Sequence, residues 1–151
     1  MRVFITGAGG FAGGHLVRHL LQQPDLAPAD IVAGVFHPPG HNSALDQLNI
    51  PQRQLNLCDA AAVHTAIADI RPDLVFHLAA LADVAQSFKD PWGTLANNSH
   101  AQVNLLEACR QIVPGARVLV VSSAEIYGAT PGDTPIDENV SFAPTSPYSV
   151  S

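Results

Sequence analysis

Residues 3–13 read Val-Phe-Ile-Thr-Gly-Ala-Gly-Gly-Phe-Ala-Gly, and this stretch decides the fold. The apolar run at 3–5 predicts a buried strand, and the apolar spacing over 11–21 predicts a helix directly after it. The glycines between them form a turn whose backbone N–H groups, at the positive end of a helix, favour a bound phosphate. Because the turn joins a strand to a helix, it predicts a dinucleotide-binding βα unit.

The glycine turn supplies the first set of predicted cofactor contacts. A glycine is needed wherever the backbone approaches a pyrophosphate, because a Cβ atom would block that approach. The predicted contacts in the turn are Gly7, Gly9, Gly10, Phe11, Ala12 and Gly13.

The end of the second predicted strand bears on the choice of cofactor. An acidic residue usually stands there to hold the ribose hydroxyls of NAD, whereas an arginine marks the 2′-phosphate of NADP. The sequence reads Val35-Phe36-His37-Pro38, with neither residue type. Both NAD and NADP therefore remain possible cofactors, and the missing carboxylate favours NADP. His37 is a candidate contact to the ribose or phosphate.

Strand and helix patterns alternate along the rest of the chain. The further strands are predicted at 31–36, 54–57, 74–78 and 118–121, and the further helices at 60–70, behind Asp59 as N-cap, and at 94–112. Five strands, each apolar on both faces and separated by helices, predict an α/β fold with a doubly wound parallel sheet of the Rossmann type. Residues 128–147 contain four prolines and no such pattern, which predicts a long functional loop.

Composition and charge narrow the possible partners. With 151 residues, 47% hydrophobic and 13% charged, the chain suffices for one buried domain, and we expect residues 1–151 to form one NAD(P)-binding domain. A net charge of −6 without a basic cluster disfavours nucleic acid and membrane surfaces as partners. The glycines break the first apolar run too early for a signal peptide or a membrane span, which favours a cytoplasmic location.

The cysteines and histidines give no pattern of metal ligands. Cys58 and Cys109 are far apart, and we expect two reduced thiols in apolar settings. His15 and His19 share a helix face, but no third ligand accompanies them, so we expect no metal site.

Three candidate catalytic residues follow the last predicted strand. Ser123 and Glu125 come directly after it, at the sheet edge where such folds bind ligands, and Tyr148 stands at the start of a predicted helix. A tyrosine, whose pKa is about 10 in a model peptide, acts as a general base only when a cation lowers that pKa. A lysine four residues later would supply the cation, and that position is number 152, one beyond Ser151.

Taken in order, these motifs resemble the nucleotide-sugar epimerase, dehydratase and reductase family of extended short-chain dehydrogenases. The resemblance rests on the glycine turn, residues 75–80, the Ser-x-Glu-x-Tyr-Gly segment and the Ser-Pro-Tyr-x-x-Ser ending. It implies that Ser123 binds the substrate oxygen, that Tyr148 is the catalytic base beside the cofactor, and that Glu125 moves the C5 proton in 4,6-dehydratases. It also implies a substrate contact at Ser87 and cofactor contacts at Asn56, Leu57, Leu78, Ala79, Ala80 and Asn98.

Within that family the chain is most similar to the enzymes of GDP-sugars, the GDP-mannose 4,6-dehydratases and the GDP-4-keto-6-deoxy-mannose reductases. Residues 71–73, 85–91 and 122–128 carry this similarity, and Phe11 in the turn favours the reductases. The resemblance implies NAD(P)-dependent chemistry through a 4-keto sugar, with a GDP-hexose favoured as substrate and a UDP- or dTDP-sugar as the alternative. It also implies a homodimer for the full-length enzyme.

The family resemblance also sets an expectation for residues 1–151 on their own. In that family the part that binds the sugar follows the tyrosine helix. We therefore expect residues 1–151 to be incomplete on their C-terminal side and inactive alone. We also expect the fifth strand to have an unpaired edge that favours self-association. A cofactor-sensing protein without chemistry and an oxidoreductase of small alcohols are the alternatives. Ser123 and Tyr148 argue against the first, and the long 128–147 loop argues against the second.

Overall fold

The computed structural model describes residues 1–38, 40, 43–129 and 135–151. The strands are β1 (Val3–Thr6), β2 (Ile31–Val35), β3 (Gln52–Gln54), β4 (Leu74–His77) and β5 (Arg117–Val120). The α-helices are α1 (Phe11–Leu20), α2 (Ser43–Asp46), α3 (Ala60–Ile70), α4 (Val84–Lys89), α5 (Pro91–Ile112) and α6 (Pro147–Val150). Short 3-10 helices occupy Pro28–Asp30 and Ala124–Tyr127. The predicted 128–147 loop includes 130–134, which lie outside the described residues.

The five strands form one parallel sheet in the order β3-β2-β1-β4-β5. β1 lies in the middle, with Val3 beside Ile31 of β2 and beside Leu74 of β4. The chain therefore builds the sheet outward in one direction from β1 and then in the other, and the switch between β1 and β4 is where open α/β sheets bind ligands. The predicted Rossmann-type parallel sheet is confirmed.

The core consists of one apolar cluster on each face of the sheet, because successive side chains of a strand point to opposite faces. Phe4 belongs to the cluster that also contains the buried side of α3 and the last turns of α5. Val3 and Ile5 belong to the other cluster, together with Val17 of α1 and Leu45 of α2. Helices therefore cover both faces of the central strands, as a doubly wound fold requires.

Two helix starts show how the sequence sets the boundaries. Asp59 is the N-cap of α3, as predicted, and its carboxylate accepts a hydrogen bond from the Ala62 N–H at 3.0 Å. α5 begins at Pro91, three residues before the predicted start. A proline fits the first helical position because its missing N–H would have no partner there, and Asp90 accepts the Gly93 N–H at 2.9 Å.

The two edge strands correct the expectation that every strand is apolar on both faces. β3 has the sequence Gln-Arg-Gln, lies two residues before its predicted start and pairs with β2 alone. β5 pairs with β4 alone, and Leu119 and Val120 on it are exposed. An edge strand has one neighbour in the sheet, so fewer of its side chains are covered. Self-association through β5 stays a prediction.

The cysteines correct a second expectation. Cys109 is buried, as predicted, but Cys58 is exposed. Cys58 lies in the turn between β3 and α3, where its backbone N–H donates to the Asn56 side chain at 3.0 Å. A residue in such a turn has its side chain at the surface, which the spacing of the cysteines could not reveal.

The chain divides into two compact units. The sheet unit comprises residues 1–80 and 100–121, and the second unit comprises residues 81–99 and 122–151. Within the second unit, α6 contacts α4 and the 3-10 helix Ala124–Tyr127. That residues 1–151 form one NAD(P)-binding domain stays a prediction.

Candidate functional site

The glycine turn after β1 is packed so closely that two of its positions exclude a side chain. Gly7 has a φ of +69°, and a Cβ atom on it would lie 2.8 Å from the backbone nitrogen of Ala79. A Cβ atom on Gly13 would overlap the carbonyl oxygen of Gly7 and lie 2.7 Å from the Cα of Ala8. The turn therefore lies against the end of β4 on one side and against α1 on the other, and only glycine fits at both positions.

The start of α1 leaves its backbone donors available. The N-cap is Gly10, no side chain caps this end, and the first turn contains no acidic residue. The carbonyl of Gly10 accepts the first helical hydrogen bond, from the Gly14 N–H at 2.9 Å. Phe11 and Ala12 are exposed, whereas Gly13 is buried. The N–H groups of this first turn, with the positive helix end, form an arrangement that binds anions.

A buried pair of side chains, Thr6 and His77, fixes the turn to the end of β4. The Thr6 hydroxyl lies 2.7 Å from Nδ1 of His77 and accepts the Ala79 N–H at 3.3 Å. The Thr6 carbonyl accepts the Leu78 N–H at 3.3 Å. Either the Thr6 hydroxyl or Nδ1 is the donor of this bond, depending on the tautomer of the imidazole ring. Burial lowers the pKa of His77, which favours the neutral form of the ring.

The other predicted cofactor contacts in the sheet unit are placed at the ends of β2, β3 and β4. His37 is exposed after β2, with its ring centroid 5.3 Å from that of Phe36. Asn56 is exposed after β3, and its side-chain oxygen accepts the Cys58 N–H, so the amide oxygen predicted for adenine is engaged in a local turn. The carbonyl of Leu57 accepts from Asn104 at 2.9 Å.

The end of β4 carries the remaining predicted contacts of the sheet unit. Leu78 and Ala79 are half-buried, and their N–H groups bond to Thr6 as described above, whereas Ala80 is exposed. Parallel strands end at the same edge of a sheet, so the glycine turn and these segments share the edge where the fold binds ligands.

Ser123, Glu125 and Tyr148 all belong to the second unit. Ser123 is the N-cap of the 3-10 helix Ala124–Tyr127, and its Oγ accepts the Glu125 N–H at 3.2 Å. The side chain of Glu125 is exposed. Tyr148 is half-buried in the first turn of α6, which packs against that 3-10 helix. The elements that carry the three predicted catalytic residues are therefore in contact.

A reciprocal cap fixes the start of α6. The hydroxyl of Ser146 accepts the Ser149 N–H at 3.0 Å, and the hydroxyl of Ser149 accepts the Ser146 N–H at 2.9 Å. Both serines are buried, and Pro147 occupies the first helical position. The cap thereby defines the backbone of the turn that presents Tyr148.

Asn98 and Ser87 have their polar groups engaged inside the second unit. The amide oxygen of Asn98 accepts from the Leu81 N–H at 2.8 Å and from Asn97 at 3.1 Å. Its amide nitrogen donates to the Leu81 carbonyl at 3.2 Å and to the Ser151 hydroxyl at 2.8 Å. Ser87 is completely buried, and its hydroxyl donates to the Val84 carbonyl at 2.7 Å. The substrate contact of Ser87 and the cofactor contact of Asn98 stay predictions.

Two further properties hold for the described part of the chain. No three histidine, cysteine or acidic side chains there are arranged to hold a metal ion, and His15 stacks edge-on against Phe11 with 4.7 Å between ring centroids. Within the same residues, no helix is both long enough and apolar enough to cross a bilayer.

The family model described as the NAD dependent epimerase/dehydratase family matches residues 3–151. The chain belongs to this family. Among its curated relatives, the dTDP-glucose 4,6-dehydratase of Neisseria meningitidis is 31% identical over 99% of this chain and 45% of the relative. The UDP-glucose 4-epimerase of Caenorhabditis elegans is 30% identical over 98% of this chain and 45% of the relative. The chain thus spans about half the length of the curated relatives it matches.

A solved member of the epimerase/dehydratase family has the same fold. The UDP-glucose 4-epimerase of Thermus thermophilus, solved in complex with NAD, superposes with a TM-score of 0.86 at 32% identity, over 99% of this chain and 47% of that one. This agreement confirms the recognition of the family from the sequence motifs. None of the three relatives named here carries a GDP-sugar in its name.

The positioning residues Thr6, His77, Ser146 and Ser149 were not predicted from the sequence. Thr6 and His77 each end a buried strand, and a polar residue inside an apolar run is a signal that it has a partner. Ser146 and Ser149 are three residues apart around a proline, which is the spacing of a reciprocal cap. Both signals were present in the sequence, but a polar residue at the end of a strand does not reveal its partner on another strand.

Proposed function

We propose that the glycine turn binds the pyrophosphate of NAD or NADP and that the chain is the cofactor-binding part of a nucleotide-sugar epimerase or dehydratase. The observation that carries this proposal is the uncapped start of α1 behind a turn in which Gly7 and Gly13 have no room for a Cβ atom. A close backbone cradle with available N–H groups is what a pyrophosphate needs. The NAD-bound Thermus epimerase, which has the same fold, supports the same cofactor here.

The residues of the sheet unit would hold the dinucleotide. The N–H groups of Phe11, Ala12 and Gly13 bind the pyrophosphate, and the segments after β2, β3 and β4 line the adenosine and ribose. When bound, the dinucleotide accepts and returns a hydride. The bond between Thr6 and His77 keeps the turn and the end of β4 in a fixed relation to each other.

The residues of the second unit would handle the proton. Tyr148 takes the proton from a sugar hydroxyl as a general base. The Ser123 oxygen accepts from the Glu125 N–H and keeps its own hydrogen, which it donates to the oxygen that becomes a 4-keto group. Glu125 is exposed and moves the C5 proton if the reaction is a dehydration.

The sugar nucleotide is proposed to be a UDP- or dTDP-hexose, because the relatives at 30% and 31% identity are named for those substrates. The GDP-hexose favoured by the sequence motifs has no support from them and stays a prediction. A homodimeric, cytoplasmic full-length enzyme and the inactivity of residues 1–151 alone also stay predictions.

Product analysis with the full gene product tests the proposed reaction. The protein is incubated with NAD(H) or NADP(H) and a panel of UDP-, dTDP- and GDP-hexoses and their 4-keto derivatives, and products are identified by mass spectrometry and NMR. Inversion at C4 indicates an epimerase, loss of water a dehydratase, and hydride uptake by a 4-keto sugar a reductase. Tight cofactor binding without turnover of any sugar would contradict the enzyme proposal and favour a cofactor sensor.

The two tyrosines of the chain provide a matched pair of variants. We expect Tyr148→Phe to lower kcat by about 100-fold or more while the dinucleotide still binds, because a general base contributes about that factor. Tyr127→Phe is the control, since the ring of Tyr127 packs edge-on against Phe142 and that contact does not need the hydroxyl. Equal activities of the two variants would refute the role of Tyr148.

A further inference from the structure

A pocket of about 190 Å³ lies beside the glycine turn in the sheet unit. Its lining includes Gly10 of the turn, His15 and Arg18 of α1, and Leu45 and Leu48 from the segment that follows β2. The pocket therefore begins at the proposed pyrophosphate site and extends toward the segment after β2. In this type of fold the adenosine ribose reaches toward that segment.

Arg18 contributes a guanidinium group to this pocket. The side chain is exposed, and its Nη1 donates to the Gly14 carbonyl at 3.3 Å, which directs it back along α1 toward the turn. The ion pairs in the described part of the chain are Arg53 with Asp69 and Arg110 with Glu107, so Arg18 is not neutralised by a carboxylate there. A guanidinium group has five N–H donors, and most of those on Arg18 remain for a ligand.

Among the residues that the structure describes, no acidic side chain lines the pocket. Residues 36–42 contain no aspartate or glutamate, and the first carboxylate after β2 is that of Asp46. One oxygen of Asp46 accepts from the Gly40 N–H at 3.1 Å and from the Gln52 amide at 2.8 Å, which holds this carboxylate outside the pocket lining. Residues 36–42 thus lack the carboxylate with which the fold normally binds the 2′-hydroxyl of NAD.

We propose that the chain prefers NADP to NAD and that Arg18 binds the 2′-phosphate of the adenosine ribose. The inference rests on the proposed function, because it concerns the same dinucleotide site. A phosphate carries close to two negative charges and accepts paired hydrogen bonds from a guanidinium group, whereas the 2′-hydroxyl of NAD offers neither. The proposed preference for NADP would distinguish this chain from the Thermus epimerase, which was solved in complex with NAD.

Equilibrium binding of NADPH and NADH to residues 1–151, followed by cofactor fluorescence, tests the preference. We expect NADPH to bind about tenfold more tightly than NADH, the ratio that one charge-assisted pair supports. The difference should shrink as salt is added, because the arginine is exposed. Competition by adenosine 2′-monophosphate but not by adenosine 5′-monophosphate would assign the effect to the 2′-phosphate.

Substitutions of Arg18 assign the preference to this residue. Arg18→Ala should weaken NADPH binding about tenfold and leave NADH binding within about twofold, and Arg18→Lys should give an intermediate value because it keeps the charge but not the planar fork. Arg110→Ala is the control, since Arg110 is an exposed arginine already paired with Glu107 at 2.7 Å. It should change neither affinity.

The outcomes separate the inference from the proposed function. Equal affinities for NADH and NADPH, or an NADPH preference that survives Arg18→Ala, would overturn the inference and leave the proposed function intact. Binding of neither dinucleotide, in a chain whose unfolding curve shows it to be folded, would overturn both.

Discussion

Replacing Gly13 by alanine tests whether the close packing of the glycine turn builds the candidate site. The new Cβ atom would overlap the Gly7 carbonyl oxygen and lie 2.7 Å from the Cα of Ala8 and 2.9 Å from the carbonyl carbon of Gly7. All three are backbone atoms, so no side-chain rotation relieves the contact. Overpacking of this kind costs up to about 3 kcal/mol, and alanine recovers about 1 kcal/mol of helix propensity. We expect a net loss of about 2 kcal/mol in the free energy of unfolding.

The neighbouring glycine provides the matched control for this substitution. A Cβ atom on Gly14 would meet only the Arg18 side chain at 3.6 Å and the Ala8 carbonyl oxygen at 3.9 Å, which are ordinary contacts. Gly14→Ala should therefore stabilise the chain by about 0.5–1 kcal/mol.

Thermal unfolding measures the difference between these two alanine variants. For a chain of this size 1 kcal/mol shifts Tm by about 2–4 °C, so Gly13→Ala should lower Tm by about 4–8 °C and Gly14→Ala should raise it slightly. Gly13→Ala should also weaken NADPH binding, because the Gly7 backbone has to move. A Gly13→Ala variant as stable as Gly14→Ala, with unchanged cofactor affinity, would refute the packing argument.

Three further predictions concern buried groups of the sheet unit. Thr6→Val removes the bonds to His77 and Ala79 without changing volume and should lower the free energy of unfolding in urea by about 1–3 kcal/mol. Thr6→Ser keeps the hydroxyl and should retain most of that stability. Equal stabilities of the two variants would contradict the role of the hydroxyl. Burial lowers the pKa of His77 below 6.5, so the unfolded chain binds a proton more readily than the folded chain. The free energy of unfolding should therefore be largest above pH 6.5 and should decrease as the pH falls from there toward the pKa of the folded state. Urea unfolding at about pH 7.5 and about pH 5.5 should show a larger decrease for the parent chain than for His77→Asn. A thiol reagent should modify the exposed Cys58 quickly and Cys109 only on unfolding, because burial of Cys109 raises its pKa; labelling at equal rates, read by mass spectrometry, would contradict this.

The fold could be predicted from the sequence because the local patterns and the topology agree. The central strands β1, β2 and β4 are largely apolar runs, and the glycine turn marks the end of the first strand and the start of the first helix. The edge strands were less predictable, because a strand with one neighbour can be polar, as β3 is, or exposed, as β5 is. The early start of α5 followed from Asp90 and Pro91, a capping signal that the apolar spacing alone did not include.

The close backbone packing of the glycine turn was easier to predict than the partners of the polar side chains. A position with a φ of +69°, such as Gly7, or without room for a Cβ atom, such as Gly13, requires glycine, and a glycine can be read directly from the sequence. A polar side chain carries no such mark, because the same residue can bind a ligand or a neighbouring backbone group. Asn56 illustrates the second case, since its oxygen caps a local turn.

A count of the hydrogen bonds already made ranks the predicted side chains of the second unit. Asn98 makes four, which exhausts the two acceptor and two donor positions of an amide. Ser87 has given its only hydrogen to the Val84 carbonyl and has no accessible surface. Ser123 accepts one bond and still has its hydrogen to donate, and it is half-buried. A polar contact to a ligand needs a donor or acceptor that is still available, so the substrate contact predicted for Ser123 needs no existing bond to break. Asn98 and Ser87 instead hold groups of their own neighbourhood, Leu81 and Ser151 for Asn98 and Val84 for Ser87.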